Sequence, residues 1–148
     1  MEKIEQVLAA GNSHATVNRD PNTHRGEFGA YDLKLTAPFI EDVEYIGTEP
    51  HPRAEQLFAG AWSACYTTVF GMAAQSKKVT LPADYSVDIK VNIGQTGAAW
   101  FLGAEFNISV PGVEKEVVEK IAHLAHQICP YSKAVRGNIE VSTNIVAA

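Results

Sequence analysis

Leu57-Phe-Ala-Gly-Ala-Trp-Ser-Ala-Cys-Tyr-Thr-Thr-Val-Phe-Gly-Met-Ala-Ala74 runs for eighteen residues without a formal charge. That length reaches the range of a membrane span. Its content argues otherwise: Ser63, Thr67 and Thr68 interrupt it, Gln56 and Gln75 bound it, Gly60, Ala61, Ala64 and Gly71 thin its hydrophobicity, and no basic cluster precedes it to set a topology. The stretch reads as a long buried helix over about Arg53 to Ser76. Gly60, Ala64 and Thr68 recur every four positions, which lines small residues along one side where another backbone can approach.

Outward from this helix the patterns alternate. Val113 to Ile128 carries Val113, Val117, Ile121, Leu124 and Ile128 at helical spacing, begun by Pro111-Gly112 and limited by Pro130. Tyr85, Val87, Ile89, Val91 and Ile93 alternate with polar residues, as do Ile139, Val141, Thr143 and Ile145, and Trp100 to Val110 is a more continuous apolar strand. Gly94-Gln-Thr-Gly97 between two strands reads as a hairpin, not a phosphate loop. Upstream, Thr16 to Arg19 and Ala30 to Thr36 read as strands joined by the turn Asp20-Pro-Asn-Thr-His24. The order of strands, helix, strands, helix and strand predicts an α+β fold with antiparallel sheets packed on the long central helix and a second helix.

At 148 residues the chain has the length of a single domain, and 46% hydrophobic with 20% charged residues excludes disorder as its main state. A net charge of -5 with no dense basic run argues against nucleic acid. The opening MEKIEQVLAA is acidic and amphipathic, unlike a secretory leader, so a cytoplasmic location is expected. Two cysteines, Cys65 and Cys129, make neither a disulfide scaffold nor a four-thiolate zinc site, and on arithmetic alone they are as readily two buried thiols as a functional pair. His123, His126 and Cys129 are spaced three apart, but each step drifts about 60° around a helix, so no metal site is expected from them.

A working Cys65 needs a nearby cation to favour the thiolate. Arg19 and Arg53 are the candidates, with Glu55 able to hold a guanidinium in a two-point pair. Phe58, Trp62, Tyr66, Phe70 and Tyr131 offer apolar surroundings suited to an organic tail, although core packing explains most of them. Glu55 and Cys65 are ten residues apart, about 15 Å along a straight helix, so they cannot share one guanidinium within a chain. Two copies crossing antiparallel near Gly60 would bring Glu55 of one level with Cys65 of the other; an unwound helix start folding Glu55 back is the competing geometry.

The segments Ala54-Glu-Gln-Leu-Phe-Ala-Gly-Ala-Trp-Ser-Ala-Cys65 and His126-Gln-Ile-Cys-Pro-Tyr-Ser-Lys-Ala-Val-Arg-Gly-Asn-Ile-Glu-Val141 resemble the organic hydroperoxide resistance (Ohr) branch of the OsmC/Ohr family. The similarity runs from about Ala15 to Val146 and includes Leu81-Pro-Ala-Asp84 and Ser109-Val-Pro-Gly112. The resemblance implies an OsmC-like fold, an intertwined homodimer with active sites at the subunit interface, and a thiol-dependent peroxidase acting on organic hydroperoxides, including fatty-acid-derived ones. It implies Cys65 as peroxidatic cysteine, Cys129 as resolving cysteine in an intrachain disulfide, and Arg19 with Glu55 as the pair that activates the thiolate. No cofactor or metal is implied, only an external dithiol reductant such as a lipoylated protein. Arg53-Ala54 replaces the family's usual Asn-Pro, and Asn18-Arg-Asp-Pro21 replaces Gly-Arg-Asp-Gly, which leaves Arg25 and Arg53 as alternative guanidinium sources. An OsmC-branch peroxidase, or a hydroperoxide sensor without significant turnover, is the alternative expectation.

Overall fold

The computed structural model describes residues 5–16, 32–37, 40–46 and 54–146. Among these residues six strands form one sheet in the order β2-β3-β1-β4-β5-β6. The strands are β1 (Gln6–Thr16), β2 (Asp32–Ala37), β3 (Ile40–Ile46), β4 (Ser86–Thr96), β5 (Ala99–Ser109) and β6 (Glu140–Val146), with helices α1 (Ala54–Ser76), α2 (Lys115–Ile128) and α3 (Pro130–Val135). Neighbours pair antiparallel except β5 and β6, which run parallel. The connection from β5 to β6 contains both α2 and α3, and a helical crossover is what a parallel pair requires.

The alternation expected in β4 is the alternation of burial. Val87, Ile89 and Val91 are buried, and Ala104, Phe106 and Ile108 repeat the pattern on β5. Against them lies one side of α1, where Trp62, Tyr66 and Phe70 recur every four residues and are fully buried. Phe106 meets Trp62 and Tyr66 edge-on at centroid distances of 4.9 and 4.8 Å. Each such side chain contributes about 1.5–3 kcal/mol by leaving water. By length and composition α1 would suffice to cross a membrane, yet more than half of its apolar window is buried inside the fold. Its opposite side stays open, with Leu57 and Met72 about half exposed.

Several expected elements differ in extent. Of the strand expected at Thr16 to Arg19, only Thr16 lies in β1, which instead reaches back to Gln6 because ten-residue pairing with β4 supplies the ladder; residues 17–19 and the Asp20 to His24 turn lie outside the described residues. β3 and α3 were not expected from the pattern. α2 begins at Lys115, two residues after Val113, and its buried positions are Val118, Ile121, Ala122 and Ala125. Of the periodic set, Ile121 is fully buried, whereas Val117 and Leu124 are only partly buried and Ile128 is exposed, because the side bearing Val118, Ala122 and Ala125 is the one that packs into the fold. The hairpin joining β4 and β5 turns in two residues, with Gly97 at φ 58°, a left-handed conformation that favours glycine.

Candidate functional site

α1 carries Cys65 in its middle, partly buried. Cys129 arrives from the other end of the fold at the corner between α2 and α3. The dipeptide Cys129-Pro130 makes that corner. A residue before proline is pushed out of the helical region, and Cys129 is extended at φ -62° and ψ 122°. Its N–H still donates to Ala125 O at 2.8 Å, closing α2, while Pro130 takes the first position of α3, where its missing N–H costs nothing. The corner buries Cys129 completely and puts its Sγ 3.3 Å from Cys65 Sγ. A disulfide bond is about 2.05 Å long, so this is a reduced pair in hydrogen-bond contact.

Burial, followed by the hydrogen bond and charge of Cys129, pushes the Cys65 thiol from its ordinary 9.0 up to about 11, while the backbone N–H of Tyr131 on α3 acts in the opposite direction. A thiolate at this position therefore calls for added positive charge. Tyr66, one residue on, donates its hydroxyl to Ala122 O at 3.1 Å, and burial, then the charge of Cys129, push its phenol well above its ordinary range.

A polar network lies behind the thiol pair. Trp62 Nε1 donates to Ser132 Oγ at 3.1 Å, and Ser132 Oγ is 3.2 Å from His126 Nδ1. His126 Nε2 is 3.0 Å from Thr143 Oγ1 on β6, and Arg136 Nη2 donates to His126 O at 3.0 Å. The His126 ring rests on Tyr66 and Phe106 at 4.5 and 4.8 Å. Burial, then the charges of His123 and Arg136, lower its pKa to about 4, so the ring is neutral near pH 7. A cavity of about 210 Å³ opens beside the network, with Trp62, His126, Ser132 and Arg136 in its wall.

Of the four residues expected to carry chemistry, Cys65 and Cys129 are brought together across 64 positions. Glu55 sits in the first turn of α1, partly buried, on the same uninterrupted helix as Cys65. The unwound helix start is therefore not the geometry adopted. Arg19 and the alternatives Arg25 and Arg53 lie outside the described residues. Gly60, expected at a helix crossing, is buried within its own chain; Ala61 and Ala64 stand nearer the open side. Sequence reasoning gave Ser132 no role, considered His126 only as a metal ligand, and missed the Tyr131 N–H. The spacing of His126 and Ser132, three residues either side of Cys129, was the available signal. Both His126 nitrogens are engaged by hydroxyls, and His123 Nε2 is 2.9 Å from Gln127 Nε2.

The family described as "OsmC-like protein" matches residues 47–144. The organic hydroperoxide resistance protein of Xanthomonas axonopodis pv. citri is 35% identical, over 98% of this chain and 99% of its own length. Among solved structures, an organic hydroperoxide resistance protein from Elizabethkingia anophelis superposes with a TM-score of 0.61 at 26% identity, covering 98% of this chain and all of that one. One from Legionella pneumophila gives a TM-score of 0.59 at 29% identity, covering 67% of this chain and 72% of that one. With a paired thiol built from the two matching motifs and relatives of this kind over nearly its whole length, the chain belongs to the OsmC-like family, on its organic hydroperoxide resistance branch.

Proposed function

We propose that the protein is a thiol-dependent peroxidase that reduces organic hydroperoxides, fatty-acid-derived ones included, to alcohols. The observation that carries this reading is the 3.3 Å contact between Cys65 and Cys129 Sγ atoms in reduced form. The Cys65 thiolate attacks the terminal peroxide oxygen. An S–O bond forms, the O–O bond breaks, and the alkoxide leaves and takes a proton, so Cys65 becomes a sulfenic acid and the peroxide an alcohol. Cys129 then attacks the sulfenic sulfur, the S–S bond forms, and hydroxide departs as water with the thiol proton.

A reduced dithiol of the lipoyl class restores both thiols by two exchanges. Complete burial of Cys129 beside a partly exposed Cys65 supports first attack at Cys65, with Cys129 as the leaving thiolate. Arg19 supplies the charge that the raised Cys65 thiol calls for, and Glu55 holds its guanidinium. Glu55 and Cys65 lie about 15 Å apart along one helix, so the pair acts across a homodimer in which two α1 helices meet antiparallel through the side that bears Leu57 and Met72. The reaction uses no metal or cofactor, and a reducing cytoplasm suits it.

A steady-state assay with the full chain tests the reading. Cumene or linoleic acid hydroperoxide with dihydrolipoamide is expected to turn over many times faster than hydrogen peroxide, and faster than with thioredoxin. A single stoichiometric oxidation without recycling would replace the enzyme by a redox sensor.

A further inference from the structure

We infer that His126 is a positioning residue for the second thiol: its hydrogen bond to Ser132 closes the Cys129 corner into a loop, which Trp62 ties to the helix carrying Cys65 and Thr143 moors to β6. This role rests on the peroxidase reading and concerns its second chemical step. Forming the disulfide requires the sulfurs to close from 3.3 Å to about 2.05 Å. Cys129 must make that approach while Cys65 carries an added oxygen.

The main-chain bonds of Cys129 are local, from its N–H to Ala125 and from Lys133 N–H to its carbonyl, and they shape the corner without fixing it in the molecule. The side chains at three residues before and three after do fix it. Ser132 is buried and takes a hydrogen from the Trp62 indole, three residues before Cys65 on the same helix. With the Ser132 hydroxyl donating to Nδ1, the neutral His126 ring carries its proton on Nε2 and donates to Thr143. One chain of hydrogen bonds thus runs from α1 through the corner to β6, with Trp62, Ser132 and His126 each donating once and Thr143 accepting at its end.

Loosening the corner lets Cys129 leave the line of attack. The Cys65 sulfenic acid then survives to meet a second hydroperoxide, which transfers an oxygen to give sulfinic acid and a second molecule of alcohol. His126 therefore governs how Cys65 divides between disulfide and over-oxidation.

The test uses the full-length reduced protein, one equivalent of cumene hydroperoxide and no reductant. Time-resolved quenching with dimedone follows the Cys65 sulfenic acid, and mass spectrometry follows the Cys65–Cys129 disulfide. His126→Leu keeps the apolar contact with Tyr66 and Phe106, and His126→Asn keeps a polar atom near the place of Nδ1. In His126→Leu disulfide formation is expected to slow about tenfold or more while the first oxidation stays within about twofold, and Ser132→Ala is expected to behave alike. His126→Asn recovers most of the rate.

A folded His126→Leu protein closing its disulfide at the wild-type rate, or His126→Asn no faster than His126→Leu, overturns the positioning role. Should His126→Leu fail to fold, a wild-type rate in Ser132→Ala overturns it equally. Wild-type protein that forms neither dimedone adduct nor disulfide overturns the peroxidase reading itself, a result separate from insensitive variants of an active protein.

Discussion

Cys65 is held up to about 11 by burial, then by Cys129, so the thiol on its own keeps its proton at neutral pH. If Arg19 provides the missing charge, Arg19→Ala should leave the effect of burial unopposed: in a Cys129→Ser background, iodoacetamide labelling of Cys65 should titrate well above the profile of the Arg19 protein. Equal profiles would remove Arg19 from the site. His126 titrates the other way. Its folded pKa of about 4 lies below its ordinary 6.5, so the unfolded chain binds the extra proton between these values. The stability this ring contributes is present above pH 6.5 and lost as pH falls through 4. Urea midpoints should drop on that descent by an amount worth about 1–2 kcal/mol, less than full linkage because the ring is only partly buried, and His126→Asn should flatten the slope.

Among the elements, β5 and α1 share one packing point. Phe106 is fully buried and touches the rings of Trp62, Tyr66 and His126. Phe106→Ala should cost about 3–5 kcal/mol, read from chemical denaturation, because Trp62, Tyr66 and His126 cannot move in to close the cavity without breaking their own hydrogen bonds. The end of α3 is set by Gly137 at φ 78°, after which Ile139 N–H returns to Val135 O and the chain enters β6. α1 was readable from the sequence because its uncharged run and the four-residue recurrence of Gly60, Ala64 and Thr68 act within one element. β1 was not, since its partner is β4, some eighty residues away, and nothing local in MEKIEQVLAA marks a strand. The buried stripe of α2 shifted for a related reason: Ile121 is buried as its spacing predicts, but beside it Ala122 and Ala125 allow the close approach, and Leu124 and Ile128 turn toward the flank.

The whole-molecule expectation is a site shared between two chains. Mixed dimers should decide it: Cys65→Ser and Glu55→Ala homodimers are each expected to lose at least about a hundredfold in turnover. Co-refolding the two in equal amounts should restore about half of one wild-type site's share, because about half of the dimers are mixed and each of these holds one site with both groups intact. No restoration, in mixtures shown to exchange subunits, would place Glu55 and Cys65 in the same chain's site. The open side of α1 is where such a partner belongs, since Leu57 and Met72 are half exposed there and Ala61 and Ala64 leave room for a second backbone.

By itself the sequence determined the helix that carries Cys65, the alternating strands that bury it, and the end of the second helix before Pro130, because periodicity and proline act over a few residues. The two motifs also sufficed to single out the thiols and the family. Only the tertiary structure decided that those thiols meet at 3.3 Å, that β6 lies parallel beside β5, and that His126 and Ser132 join the corner to two other elements. These are contacts between residues 17 to 70 positions apart, set by how α1, α2 and the sheet pack together and written in no local pattern.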